Sequence, residues 1–73
     1  MVIKWTNKYS KETGFVMNID YLNKHFNNTF DYNKAKKFKS KEIAEKTIEK
    51  LIEYGEGDNN DFEIIEWNVS YSW

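Results

Sequence analysis

The architecture this sequence predicts is α+β: a small sheet of three to four strands with a single α-helix on one face, in the order β-β-β-α-β. Three observations predict it. Two alternating stretches flank a short loop ending at Gly14, a helical-period stripe follows at 44–52, and an apolar run returns after Gly55. Alternation marks a strand because successive side chains point to opposite faces, whereas spacing of three and four marks a helix. The 73 residues are read as one domain, 1–73, near the lower size limit for a self-sufficient core.

Val2 to Tyr9 alternates, with Ile3, Trp5 and Tyr9 on one face and Lys4, Thr6 and Lys8 on the other. Ser10 to Gly14 supplies turn residues, and Gly14 is available for a positive φ. Phe15 to Tyr21 alternates again through Phe15, Met17, Ile19 and Tyr21, with Val16 breaking the pattern. The two stretches read as a hairpin. Leu22 to Asn33 mixes turn formers with Phe26, Phe30 and Tyr32, so a loop is expected there, then a third strand between Thr29 and Phe38.

Ser40 to Gly55 is the helix. Ser40 is a good N-cap, Ala44, Thr47, Ile48, Leu51 and Ile52 form one apolar stripe, and Gly55 suits the left-handed close. After a loop at 56–61, Phe62 to Trp73 reads as the last strand. Its apolar residues change face at Ile64-Ile65, which calls for a bulge or for cover on both faces. With the helix returning the chain, the expected strand order is 3-2-1-4, and the last strand is expected parallel to the first.

A core this small contributes about 3–5 kcal/mol by itself. The chain has no cysteine and one histidine, so disulfides, thiolate sites and multi-histidine sites within one chain are excluded. No metal or cofactor is expected, and a partner is the remaining stabiliser. No run nears the roughly 18 apolar residues that cross a bilayer, and the start of the chain lacks a signal-peptide pattern. A cytoplasmic protein with no membrane role is expected.

All eleven basic residues are lysine, so the bidentate guanidinium fork is missing. Lys34, Lys36, Lys37, Lys39 and Lys41 cluster just before the helix, as candidate contacts to a charged partner or to phosphate. Met1 to Lys41 holds nine lysines against three acids, and Glu42 onward holds two lysines against nine acids. This polarity opposes the helix macrodipole, at about 0.3–1 kcal/mol per misplaced charge. It is understood either as serving an external partner or as solvated surface neutralised elsewhere in the fold. Nucleic-acid binding through these lysines is the less favoured use, because the whole chain is slightly acidic.

The acidic stretch 56–63 lacks the loop glycine and spacing of an EF-hand and is better explained as a turn. His25 has no cysteine partner and no serine motif, so no catalytic residue is assigned and the chain is not expected to be an enzyme. Trp67, Val69, Tyr71 and Trp73 share one face of the last strand and are the candidate partner-binding surface. They would meet a second copy in a homodimer, or fold under the helix in a monomer.

The run Ala35-Lys36-Lys37-Phe38-Lys39-Ser40, then Ala44, Ile48 and Leu51, then Phe62-Glu63-Ile64-Ile65-Glu66, resembles short proteins encoded by phages and prophages of low-GC Gram-positive bacteria. The resemblance implies a stoichiometric inhibitor of a host anti-phage defence protein, of the anti-CRISPR kind, acting in the host cytoplasm. A small nucleic-acid-binding regulator and a structural accessory module are the alternatives.

Overall fold

The computed structural model describes residues 1–66, which form a four-stranded sheet in the order β3-β2-β1-β4 with one helix packed against it. The strands are β1 (Val2–Asn7), β2 (Thr13–Asp20), β3 (His25–Thr29) and β4 (Asn60–Ile65), and the helix is α1 (Lys41–Glu53). The α+β class and the strand order agree with the sequence reading.

The direction of β4 does not. It pairs antiparallel with β1, from Val2 opposite Ile65 to Asn7 opposite Asn60. The cause lies in the connection at 30–40. There Lys36 N–H donates to the Val16 carbonyl at 2.9 Å, and Phe38 exchanges two backbone hydrogen bonds with Met1 at 2.7 and 3.1 Å. The helix therefore starts from the Met1 end of β1, and its 13 residues span about 20 Å at 1.5 Å per residue. The chain is next found beside the far end of β1, where Lys8 N–H donates to the Asn59 carbonyl at 2.8 Å, so β4 runs back along β1.

The third strand also lies earlier than expected, at His25–Thr29. Beyond it, Asp31 accepts a hydrogen bond from Asn33 N at 2.9 Å and caps a 3-10 turn at Tyr32–Lys34. A short acidic side chain that bonds its own backbone competes with a strand ladder, and here it wins.

In β2 the core residue is Val16, fully buried, while Met17 and Tyr21 are exposed. A register shift between Val16 and Asn18 moves the inward position from even to odd, so Ile19 rejoins the core. Of the two readings of Ile64-Ile65, a bulge or cover on both faces, the bulge is not found there, since β4 keeps continuous register with β1. Gly14 is not the turn glycine either; Lys11 takes the positive φ, at 67°. Gly14 faces Trp5 across the strands, and a Cβ there would lie 2.6 Å from Trp5 Cζ2. The indole needs that missing side chain. Tyr9, expected beside Ile3 and Trp5, is exposed beyond the end of β1.

Ser40 caps α1 by accepting from Ile43 N at 3.2 Å, and Gly55 closes it with φ 93°. Ala44 and Leu51 pack with Ile3, Trp5, Val16 and Phe38 as the core. Ile52, expected in the buried stripe, is 55% exposed. The other sheet face has a smaller apolar cover. Val2 and Ala35 are buried outside the main core, and Phe15 meets Tyr32 edge-on at 5.1 Å. Half-buried Ile65 lies beside Val2, so cover on both faces answers the apolar switch in β4.

Candidate functional site

The five lysines at 34–41 surround the entry to α1, and all are exposed. They are not equivalent. Lys37 folds back onto the 3-10 turn, donating to the carbonyls of Ala35, Tyr32 and Asn33 at 2.8, 3.3 and 3.4 Å, with its ammonium 5.8 Å from the Tyr32 ring centroid. It serves the chain's own backbone. Lys36 sits 5.8 Å from the Phe38 ring centroid. Lys34, Lys36, Lys39 and Lys41 form no ion pair among the described residues, where the four ion pairs lie elsewhere. Among the described residues no acid neutralises these four.

The acids follow the same division. Glu42 pairs with Lys46 at 3.9 Å and Glu53 with Lys50 at 3.7 Å, which places one cation in the last helical turn where the macrodipole favours it. Among the described residues Glu45, Glu49, Glu63 and Glu66 form no ion pair. Two of them, Glu45 and Glu49, flank one feature that the sequence reading missed.

That feature is the seam between α1 and β4. Two depressions, of about 540 and 360 Å³, share Ile48 and Phe62 and together follow the seam. Ile64, Phe62, Ile48 and Ile52 form its apolar floor, with Glu45 and Glu49 on the helix side. Lys41 lines one depression and Lys8, 3.8 Å from Asp61, lines the other. Ile52, exposed at the margin of the helical stripe, opens on the seam. β4 has only β1 as a strand neighbour among the described residues, so its outer edge borders the same groove. The signal in the sequence was the alternation Phe62-Glu63-Ile64 beside Glu45 and Glu49, one helical turn apart.

His25 is not the centre of a reactive site. Its Nδ1 lies 3.2 Å from the Phe26 carbonyl and its Nε2 lies 3.5 Å from Asp20. The Asp20 carboxyl is held below the usual range, first by the Asn23 side-chain amide at 2.8 Å, then by Asn23 N–H, with a smaller contribution from His25. This cluster closes the β2–β3 turn. Among the described residues no group of three or more His, Cys, Asp or Glu is placed to hold a metal ion, and no helix is long and apolar enough to cross a membrane. Trp67, Val69, Tyr71 and Trp73 lie outside the described residues.

No protein-family model, curated protein or solved structure matches this chain.

Proposed function

We propose that this chain is a non-enzymatic interaction module that acts by occupying a partner protein, and that the partner is a host anti-phage defence protein in the cytoplasm. The observation that carries the first part is the α1–β4 seam, an apolar groove bordered by a strand edge that is unpaired among the described residues, the kind of surface an extended polypeptide adds to. The second part rests on the resemblance to small phage proteins. His25, with both ring nitrogens turned to the chain's own oxygens, supports a role without catalysis.

The test is capture from nuclease-treated lysate of a low-GC Gram-positive host, with wild type and with Ile52→Asp, whose side chain is exposed enough to change without unfolding the helix. A host protein retained by wild type, lost with Ile52→Asp, and inhibited when the purified chain is added back is the expected result. Capture indifferent to the seam, or without inhibition, would defeat it.

The unpaired Lys34, Lys36, Lys39 and Lys41 favour a second reading, a nucleic-acid-binding regulator. Phosphate contacts would make binding fall steeply with salt, with a shallower slope when these lysines become glutamine. Absence of DNA or RNA binding at low salt removes that reading.

A further inference from the structure

We infer that residues 67–73, which follow the described chain, turn back along the outer edge of β4 as a fifth strand, with Val69, Tyr71 and Trp73 over the α1–β4 seam. This rests on the proposed function and adds its regulation, because a partner that takes the seam must first displace them. Three observations carry it: where the described chain ends, how much edge is open there, and which face of β4 is apolar.

β4 finishes at Ile65, opposite Val2, so the residues after Glu66 start at one end of its outer edge. Among the described residues that edge has no strand beside it. Its six residues keep continuous register with β1 and run about 20 Å at 3.3 Å per residue. Beyond Glu66 the sequence continues for seven residues. A two-residue turn at 66–67 leaves 68–73 to pair with this edge, and a four-residue turn at 66–69 leaves 70–73. A segment tied to the end of β4 also meets the edge at a high effective concentration, which neither a second copy nor a separate protein has.

Phe62 and Ile64 face the helix side and are half-buried, and with Ile48 and Ile52 they floor the seam. The alternate residues, Asp61 and Glu63, are exposed and belong to the opposite face, where Glu63 stands opposite Lys4. The last residues carry the same two-sided pattern, since Val69, Tyr71 and Trp73 alternate with Asn68, Ser70 and Ser72. A turn of two residues sets Val69 opposite Ile64 and Tyr71 opposite Phe62. A turn of four sets Tyr71 opposite Ile64 and Trp73 opposite Phe62. Either lays the apolar set over the seam and the serines on the side of Asp61 and Glu63. A turn of three would exchange the faces and set the rings among carboxylates, the slip that such a pattern resists. Glu45 and Glu49 share their depression with Lys41, and residues 67–73 carry no charged side chain, so no charge at the seam opposes them.

The experiment uses the whole chain, isotopically labelled for NMR, beside the full-length variant Val69→Ser, Tyr71→Ser, Trp73→Ser. In the wild type the β4 amides that β1 leaves unpaired should be protected from exchange. In the variant they should exchange about tenfold faster or more, while the amides that β1 pairs keep their protection. The Tyr71 and Trp73 rings should show cross-relaxation to Ile48, Phe62 and Ile64 within one molecule, tested in a mixture of labelled and unlabelled chains. Capture of a host protein from lysate should be several-fold greater with the variant. Unprotected outer amides in the wild type, or ring contacts to Lys4 and Thr6 on the opposite face, would overturn the inference. Contacts only between labelled and unlabelled chains would overturn it in favour of a second copy. Should the variant unfold, the wild-type exchange and ring contacts still decide. Equal capture by wild type and variant would overturn the regulatory part. Capture untouched by Ile52→Asp would defeat the proposed function, while the fifth strand is read independently by exchange.

Discussion

β3 carries His25 to Thr29 along one edge of the sheet, and β4 carries Asn60 to Ile65 along the other. β3 is five residues long, starts from Lys24 at φ 58°, and pairs with the bulged part of β2. Its outward residues are polar, and Asn27 donates to Asn18 at 2.7 Å. Such an edge is short and follows a bulged neighbour, so another strand fits it poorly. β4 is longer, unbroken and apolar toward the helix, and its guard is charge alone. A geometric guard is permanent, whereas a charged one opens to a partner of the opposite sign. The difference teaches that one edge is protected by its shape and the other, among the described residues, by charge alone.

The largest perturbation should erase the comparison altogether. Leu51 is fully buried in the core beneath the sheet, and Leu51→Ala should cost about 2–5 kcal/mol by denaturant unfolding. Amides of β3 and β4 should then lose exchange protection together. Loss confined to one edge would mean the two sides unfold as separate units.

Gly14→Ala comes next, because its Cβ would press on Trp5 at 2.6 Å and on the Thr29 carbonyl at 3.0 Å. Displacing the indole should cost about 1–3 kcal/mol. The Trp5 Nε1–H resonance should move, and β3 should exchange faster than β4. An unshifted indole and unchanged melting would show that the close approach has no structural importance.

The edges themselves are separated by smaller changes. Asn27→Ala on β3 removes an exposed hydrogen bond and should lower stability by about 0.5–1 kcal/mol without changing the oligomeric state. Glu63→Thr on β4 should leave stability within about 0.5 kcal/mol but promote self-association at high concentration, read by sedimentation. A reversed outcome, with Asn27→Ala associating, would exchange the roles of the edges.

The finest distinction is in acid. The Asp20 carboxyl is lowered from its ordinary 3.8 on folding, so its contribution is present above that value and lost as pH falls through the lower folded one. In a downward titration β3 should loosen before β4, and Asp20→Asn should abolish the step. Simultaneous loosening of both edges in both proteins would assign the acid response to groups outside this turn.

Much of this was legible in the chain itself. Ser40, the 44–51 stripe and Gly55 specify α1 by local interactions, so its caps and buried residues follow from neighbours a few positions away. The strand order followed from the element order. The seam was harder to see, because Ile48, Phe62 and Ile64 read as ordinary core positions and Glu45 and Glu49 as an ordinary solvated face. Only their juxtaposition across thirteen or more residues of chain makes a groove with Glu45 and Glu49 on its rim. Likewise the lysines at 34–41 look alike in sequence, yet Lys37 differs from the others once the 3-10 turn places three carbonyls within its reach.

The sequence by itself determined the class of fold, the helix with both its caps, and the separation of charge between the two halves of the chain. These rest on periodicity, capping chemistry and composition, each read within one or two turns of backbone. Tertiary structure alone decided that β4 runs against β1, that Val16 and not Phe15 or Met17 enters the core, and that Gly14 serves Trp5 and not a turn. Each of these depends on where a distant segment lies: the 35–38 segment against Val16 and Met1, the bulge opposite β3, the indole across the strand pair. Contacts between residues remote in sequence have no local pattern to announce them, because their cost and gain appear only when the chain has closed around them.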